Sequence, residues 1–232
     1  MRPTAFFFDI GGTLATAMDA TPRRLLGTRL NLSEKETKRV GRLLMTEPSI
    51  DPQSLAEAVC GVLPHKRPGE ILGVIQTLWV EQMHSVRAVR GAKELLESLG
   101  RRGGFLGILS NTWFPLFQGF CNVFAPVTPL LRWMVLSFQE GFKKPSREIF
   151  LRAILRSGLP PCSCWMVGDS YELDMEPAMD VGMKTLWVLS SPERERDLLD
   201  QVRRGAMRSP DGMVRNIEEA RRLLEDNEEI SP

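Results

Sequence analysis

Five short, largely apolar runs occur along the 232-residue chain, and none shows the apolar–polar alternation of a half-buried strand. Consecutive apolar residues are typical of strands buried on both faces, such as the central strands of a parallel sheet. The first run includes three phenylalanines in succession. Together these runs predict five strands, at residues 5–8, 105–109, 133–136, 164–167 and 185–188.

Apolar residues at spacings of three and four predict amphipathic helices between these strands. The segment from about residue 16 to 86 contains three such patterns and no strand pattern. Its first helix begins at a capping box formed by Ser33 and Glu36. Further helices are predicted over about 92–99, 113–125 and 149–154, with helix starts at Ser191–Pro192 and at Asn216.

Strands alternating with helices predict an α/β fold with a doubly wound parallel sheet and right-handed crossovers. The helical segment between the first two strands interrupts this alternation, which favours an inserted cap. We therefore predict a core domain made of residues 1–15 and 87–232, and a helical cap domain made of residues 16–86.

Composition is ordinary for a globular protein, with 43% hydrophobic and 25% charged residues. Thirty basic and 29 acidic residues leave a formal charge of +1, which favours neither nucleic-acid binding nor a membrane surface. No apolar stretch is long enough to span a bilayer, and no signal-peptide pattern is present, so a cytoplasmic location is expected. The four cysteines lack zinc or redox spacing and are expected to be reduced thiols.

Polar side chains follow three of the predicted strands, and a loop supplies a lysine. Asp9, Ser110 and Asp169 stand at strand ends, and Lys144 lies in the loop at 141–145. The carboxyl ends of neighbouring parallel strands lie on one edge of a sheet, so these groups are expected to converge. Adjacent carboxylates need a cation, and oxygen ligands favour Mg²⁺. A lysine and a hydroxyl complement a phosphoryl group, so the set predicts metal-assisted phosphoryl transfer to an aspartate.

Four ordered blocks of sequence carry a family resemblance. They are Phe-Asp-Ile-Gly-Gly-Thr-Leu at 8–14, Ile-Leu-Ser-Asn at 108–111, Gly-Phe-Lys-Lys-Pro at 141–145, and Val-Gly-Asp-Ser at 167–170 followed by Asp174. In this order they resemble the haloacid dehalogenase superfamily, most of whose members are Mg²⁺-dependent phosphatases. The resemblance implies a Rossmann-like sheet with a C1-type helical cap after the first strand.

The resemblance also implies roles for individual residues. Asp9 would be the nucleophile that forms an aspartyl-phosphate. Phosphate would be bound by Ser110, by Lys144 (with Lys143 as a fallback) and by backbone N–H groups near Gly12 and Asn111. Mg²⁺ would be held by Asp9, Asp169 and the backbone carbonyl of Gly11, with Asp174 in support. Trp113, three residues after Ser110, is a candidate substrate contact.

One position departs from the family pattern. Gly11 stands where family phosphatases usually carry an aspartate that serves as general acid and base, a role that typically contributes ~100- to 10,000-fold to the rate. A cap residue could replace it, and the available acids and bases are Asp19, His65, Glu81 and His84. Alternatively, the substrate has a good leaving group, or the chain binds a phospholigand without efficient chemistry. Some phosphatases of the superfamily carry glycine here.

Two other branches of the superfamily also lack that aspartate. Haloacid dehalogenases need no metal, whereas the paired carboxylates Asp169 and Asp174 favour metal-dependent chemistry. Phosphonate hydrolases use a cap lysine as a Schiff base, and nothing in the surroundings of Lys35, Lys38 or Lys66 marks one of them as reactive.

Several charged and aromatic residues outside these blocks have a surface or core interpretation. The basic pairs Arg23–Arg24 and Lys66–Arg67 could bind a second anionic group, although such pairs are more often solvated. The charged run at 193–197 predicts an exposed helical face. His65 and His84 are expected at the surface, and Trp79 and Trp165 in the core.

The sequence thus predicts a Mg²⁺-dependent phosphohydrolase that acts on a small phosphorylated metabolite through an aspartyl-phosphate at Asp9. The alternative is a non-catalytic phospholigand-binding protein that keeps the metal site.

Overall fold

The computed structural model describes residues 3–18 and 20–226 of the chain. In these residues the helices and strands follow in the order β1 (Ala5–Phe8), β2 (Ala15–Thr16), α1 (Pro22–Arg29), α2 (Glu34–Thr46), α3 (Pro52–Val62), α4 (Pro68–Ser85), β3 (Arg87–Ala88), α5 (Ala92–Arg101), β4 (Phe105–Ser110), α6 (Phe114–Val123), β5 (Leu131–Leu136), α7 (Ser137–Glu140), α8 (Arg147–Ser157), β6 (Cys164–Gly168), α9 (Glu176–Asp180), β7 (Lys184–Val188), α10 (Arg196–Arg203), β8 (Gly212–Val214) and α11 (Ile217–Asp226). One turn of π-helix, Tyr171–Met175, precedes α9.

A parallel sheet with strand order β5-β4-β1-β6-β7-β8 forms the centre of the described structure. This is the predicted α/β, Rossmann-like fold, and all five predicted strands are confirmed. The sixth strand, β8, was not predicted. It has three residues at the edge of the sheet, one of them a glycine, and so gives no apolar run.

The three phenylalanines of β1 fill both sides of the sheet. Phe6 and Phe8 pack into one apolar cluster with α5, α6 and α11, whereas Phe7 packs into another with α8, α9 and α10. Successive side chains of a strand point to opposite faces, so a strand covered on both faces needs apolar residues at every position. This burial fixes β1 at the centre of the sheet and places Asp9 at its carboxyl edge.

Helices α1 to α4 form a block with its own apolar cluster, and Trp79 and Trp113 pack edge to face within it. The predicted capping box of Ser33 and Glu36 starts α2. Helix α1 was not predicted, because its 22–29 segment has few apolar residues. The chain enters and leaves the block through the short antiparallel pair β2–β3, so the expectation of no strand from residue 16 is wrong at Thr16.

The starts of the last two helices, α10 and α11, were both predicted from the sequence. The helix expected to start at Ser191–Pro192 begins instead at Arg196, after turns at 192–195. The cap at Asn216 is confirmed, because its side-chain oxygen accepts from the backbone N–H of Glu219 at 2.9 Å.

All four cysteines are free thiols. Among the described helices, none is both long and apolar enough to cross a membrane.

Candidate active site

Asp9 begins a tight turn at the carboxyl end of β1. Its backbone N–H donates to the Val167 carbonyl at 3.0 Å, and the turn closes where Leu14 and Ala15 donate to the Ile10 carbonyl. Gly12 has a φ of +78°, and a Cβ there would lie 2.2 Å from Asp169 Oδ2. Any side chain at position 12 would therefore be strained and would displace Asp169, so glycine is required.

Lys144 is the cation at the centre of the site. Its Nζ lies 2.7 Å from Asp9 Oδ1 and 2.5 Å from Asp174 Oδ1, and the residue is 1% exposed. Burial alone would lower the pKa of Lys144, but the charges of Asp174 and Asp9 outweigh it and hold this pKa above its ordinary value. Lys144 is thus the lysine that reaches the site, and the fallback Lys143 does not take its place.

Asn111 positions Lys144 through the backbone. Its Nδ2 donates to the Lys144 carbonyl at 2.9 Å, and its Oδ1 accepts from the Lys144 N–H at 2.7 Å. The side chain of Asn111 is therefore occupied in joining the end of β4 to the lysine loop. Any contact of Asn111 with phosphate would have to come from its backbone, which is how the sequence prediction framed it.

Three carboxylates converge beside this lysine. Oxygens of Asp9, Asp169 and Asp174 all lie within 4.8 Å of one another. Asp174 is held by the Ser170 N–H, which donates to its Oδ2 at 3.1 Å. A Cβ at Gly168 would lie 2.4 Å from Asp174 Cγ, so this glycine allows the carboxylate to approach the strand end.

The charges of this cluster are not balanced by protein groups alone. Burial and then the charges of Asp9 and Asp174 raise the pKa of Asp169 to about 7. Burial, opposed by Lys144, also raises the pKa of Asp174. Carboxylate oxygens arranged this closely suit a hard divalent cation, so the donor set present fits the predicted Mg²⁺.

A cavity of about 410 Å³ opens beside the turn after β1. Ser110, whose Oγ accepts from the Ile10 N–H at 3.4 Å, lies in its wall. The remaining wall comes from the turn, the segment leading into α1, the helices α4 and α6, the end of β4 and the loop before α10. It includes Gly11, Gly12, Pro22, Gln82, Asn111, Leu116 and Arg194.

Some residues considered in the sequence do not reach this cavity. Trp113 is 1% exposed and packs on Trp79 inside the helical block, so it is not available as a substrate contact. His65 and His84 are exposed, as expected, and His65 pairs with Glu36. None of the lysines proposed for a Schiff base lines the cavity.

The remaining candidates for a general acid are also accounted for. Glu81 forms an ion pair with Arg29 at 2.7 Å and does not line the cavity. Asp19 lies outside the described residues. Within the described lining, Arg194 is the one ionisable side chain.

Arg194 is the site residue that sequence reasoning missed. Its Nη2 donates to Asp169 Oδ2 at 2.9 Å. Its neighbour Glu195 is buried and accepts from the Tyr171 N–H at 3.1 Å. The prediction of an exposed helical face at 193–197 holds for Arg196 and Asp197, which begin α10, and is wrong for 193–195, which lie in turns with Glu195 buried. Alternating charges in a sequence do not distinguish an exposed helical face from a turn that contacts the site.

Comparison with known proteins gives the class of the chain. A family described as HAD-hydrolase-like matches residues 141–220, which contain Lys144, Asp169 and Asp174. A glyceraldehyde 3-phosphate phosphatase of Methanothermobacter thermautotrophicus is 28% identical over 216 residues, covering 85% of this chain and 91% of that protein.

Other matches are shorter. A glyceraldehyde 3-phosphate phosphatase of Pyrococcus furiosus is 32% identical over 113 residues, covering 49% of this chain and 47% of that one. A ribulose-1,5-bisphosphate 5-phosphatase of Halopiger xanaduensis is 28% identical over 140 residues, covering 60% and 57%. In these two alignments the chain spans about half the length of its relatives.

Among solved structures, a HAD phosphatase from Thermococcus onnurineus matches with a TM-score of 0.58 and 22% identity, covering 95% of this chain and 97% of that one. The HAD-hydrolase YfnB of Bacillus subtilis, bound to magnesium, matches with a TM-score of 0.58 and 18% identity over 97% and 99%. At these identities the likeness concerns the fold. The matched family and the named relatives support a phosphatase-like hydrolase of the haloacid dehalogenase superfamily.

Proposed function

We propose that this protein is a Mg²⁺-dependent phosphohydrolase that acts on a small phosphorylated metabolite through an aspartyl-phosphate at Asp9. The observation that carries the proposal is the contact of Lys144 Nζ with both Asp9 and Asp174 inside a three-carboxylate cluster. A nucleophilic carboxylate, a fixed cation and a metal-binding set are the parts that phosphoryl transfer needs.

In the first step, a carboxylate oxygen of Asp9 bonds to phosphorus, and the bond from phosphorus to the ester oxygen breaks. In the second, water attacks the phosphorus of the aspartyl-phosphate, which restores the Asp9 carboxylate and releases inorganic phosphate. The Lys144 ammonium stabilises the negative charge on the phosphoryl oxygens, and Ser110 together with backbone N–H groups of the turn orients them.

Asp9, Asp169 and the Gly11 carbonyl would hold Mg²⁺, with Asp174 in support. When bound, the metal would neutralise charge on the transferred phosphoryl group. Asn111 would keep Lys144 in position through its hydrogen bonds with both the N–H and the carbonyl of that residue.

Gly11 supplies no side chain to protonate the leaving group. A guanidinium group does not release a proton in proteins, so Arg194 does not replace the missing acid. The leaving oxygen would then take its proton from water or from a group outside the described lining. Substrates with acidic leaving groups, such as acyl or enol phosphates, should therefore turn over fastest.

The helical block is proposed to serve as a cap, with residues 16–86 as the cap domain and 1–15 and 87–232 as the core domain. Support comes from the cavity, whose wall includes Pro22 of α1 and Gln82 of α4 beside the turn that follows Asp9. The named relatives act on small phosphorylated sugars, which supports a substrate of that size.

The test is an assay of acetyl phosphate and a panel of phosphate monoesters, with Mg²⁺ or with EDTA. Asp9→Asn keeps the shape of the side chain but removes the nucleophile, and turnover should fall at least about a thousandfold. Acid-quenched wild-type protein should carry phosphate on the peptide that contains Asp9. If no ester or acyl phosphate is hydrolysed although Mg²⁺ binds, the protein is instead a non-catalytic phospholigand-binding member of the superfamily.

A further inference from the structure

Gln82 of α4 is a buried polar residue in the wall of the cavity beside the turn after β1. The residue is 1% exposed. Its Nε2 donates to Met18 Sδ at 2.8 Å, and its Oε1 has no hydrogen-bond partner among the described residues. A buried acceptor without a partner costs free energy and is uncommon in folded proteins, so a bound molecule that donates to it would remove that cost.

The contact with Met18 leaves the amide of Gln82 available to a ligand. A thioether sulfur is only a weak acceptor, so this contact stabilises the amide little. The reversed amide orientation would place Oε1 against the sulfur, with two acceptors facing each other, so Oε1 is the free atom. Met18 also lines the cavity, and its unbranched side chain can change conformation to make room for a ligand at Oε1.

Contacts on both sides of Gln82 hold this part of α4 in place. Glu81 pairs with Arg29 of α1 at 2.7 Å. Met83 packs on α6, where a Cβ at Gly119 would lie 2.3 Å from the Met83 carbonyl oxygen. The backbone of Gln82 is therefore fixed both to the helical block and to the core, and a fixed backbone is what a specific hydrogen bond to a ligand requires.

The cavity connects Gln82 with the groups proposed to bind phosphate. Ser110 and Gly12 belong to the same lining as Gln82. A substrate with its phosphoryl group at Ser110 would therefore have its leaving group in the remainder of the cavity, where Gln82 forms part of the wall.

The charge of the cavity wall limits what this leaving group can be. Among the described lining residues, Arg194 is the one ionisable side chain, and it is paired with Asp169. The basic pairs noted in the sequence, Arg23–Arg24 and Lys66–Arg67, do not line the cavity. A second phosphoryl group or a carboxylate would be desolvated there without a free cation, whereas a neutral hydroxyl group would find an acceptor in Gln82.

We propose that Gln82 is a specificity-determining residue whose Oε1 accepts a hydrogen bond from a hydroxyl group of the substrate's leaving group. The substrate is then the monophosphate of a small neutral compound that carries at least one further hydroxyl group. As a statement about substrate, this rests on the proposed function; as a statement about ligand binding, it is tested without turnover.

Non-hydrolysable phosphonates provide this test. Isothermal titration calorimetry of the Mg²⁺-loaded protein would compare ω-hydroxyalkylphosphonates of two to five carbons with ω-fluoroalkylphosphonates of the same length, in which fluorine is close to the hydroxyl in size but donates no proton. The measured quantity is the ratio of dissociation constants, fluoro ligand over hydroxy ligand. We expect one chain length to give a ratio of at least about ten, because Oε1 gives up no protein partner when the hydroxyl binds. A ratio near one at every chain length would overturn the proposal.

Gln82→Met keeps the length of the side chain without the acceptor, and its ratio should fall to within about twofold of one. Gln76→Met is the matched control, because Gln76 is exposed on the same helix, and its ratio should equal that of wild type. The melting temperature of Gln82→Met should equal or exceed that of wild type, since the substitution removes an unpartnered buried acceptor.

An unchanged ratio in Gln82→Met would overturn the proposal, and a lower melting temperature in that case would show that Gln82 is a structural residue. The hydrolysis assay separates this inference from the proposed function. A protein that prefers the hydroxylated ligand but hydrolyses no phosphate ester or acyl phosphate loses the proposed function and keeps the role of Gln82; hydrolysis without that preference gives the reverse.

Discussion

Arg194 Nη2 lies 2.9 Å from Asp169 Oδ2, so the carboxylate expected to bind a metal is paired with an arginine from the loop before α10. The guanidinium side chain is largely exposed and lines the cavity, whereas Asp169 is buried. The arginine lowers the pKa of Asp169 against burial and two neighbouring carboxylates. A bound metal ion and Arg194 would therefore compete for Asp169 Oδ2.

This competition predicts that Arg194→Ala binds Mg²⁺ more tightly than wild type, with a dissociation constant lower by about three- to tenfold at pH 8. Calorimetric titration of metal-free protein measures it. Arg208→Ala is the control, because that arginine pairs with the exposed Asp180 and should leave Mg²⁺ affinity unchanged. Weaker Mg²⁺ binding in Arg194→Ala would show that the arginine supports the site instead of competing for it.

Gly12→Ala should both destabilise the protein and damage the metal site. The positive φ costs about 1–2 kcal/mol for a residue with a Cβ, and that Cβ would meet Asp169 Oδ2 at 2.2 Å. Urea unfolding and Mg²⁺ titration would measure the two effects. Gly11→Ala is the matched control, since nothing lies within 4 Å of its added Cβ, and it should change stability by less than about 0.5 kcal/mol.

Gly11→Asp should install the missing acid. The position is exposed, has no positive φ and leaves room for a side chain. Turnover of a simple alkyl phosphate should rise at least about tenfold, and that of acetyl phosphate much less, because an acyl phosphate needs no proton on its leaving group. Gly11→Asn has the same shape without the acid and should give no gain. A similar gain in both variants would mean that the effect is not proton transfer.

Asn111→Ala should reduce turnover because Lys144 is no longer held in position, and not because a side-chain contact with the substrate is lost. Both of its hydrogen bonds go to the Lys144 backbone, and losing them leaves a donor and an acceptor unsatisfied at about 1–3 kcal/mol each. We expect kcat to fall about 10- to 100-fold with a smaller change in KM. Asn111→Asp keeps the acceptor for the Lys144 N–H and should recover part of the loss; equal kcat values in the two variants would contradict this role.

The raised pKa of Asp169, about 7 against an ordinary 3.8, makes stability depend on pH. Between about pH 4 and 7, the folded metal-free protein keeps a proton on Asp169 that the unfolded chain has lost. Because the folded state binds more protons, stability falls as pH rises through this window and levels off above it. Asp174 shifts in the same direction.

Thermal unfolding of the metal-free protein at pH 5 and pH 8 would measure this dependence, with Asp169→Asn as the variant that cannot titrate. The wild type should lose more stability than the variant over this range. Mg²⁺ should raise the melting temperature clearly at pH 8 and little at pH 5, since the metal needs deprotonated carboxylates. Identical pH profiles for the two proteins would contradict the assignment.

Much of the site follows from local sequence and the geometry of parallel sheets. Asp9, Ser110 and Asp169 follow apolar runs that predict buried strands, and parallel strands end on one edge of a sheet, so their convergence follows from the predicted fold. Lys144 was placed there by its motif, and the structure brings its Nζ to Asp9.

Other features were decided by tertiary packing. Arg194 reaches Asp169 from turns after β7, and nothing in its charged run indicated that those turns face the site. Trp113 was expected at the cavity but is buried against Trp79, because an aromatic residue before a helix packs where the neighbouring helix α4 offers apolar surface.

The sequence by itself therefore determined the strands, the polar groups at the strand ends and the absence of the acid at Gly11. Buried strands appear as runs of adjacent apolar residues, so the sequence alone shows where they are and which residues follow them. Only the tertiary structure decided the pairing of Arg194 with Asp169 and the hydrogen bonds of Asn111 to the Lys144 backbone. These contacts join residues 25 and 33 positions apart. Their geometry depends on how loops and helices pack, which no local pattern encodes.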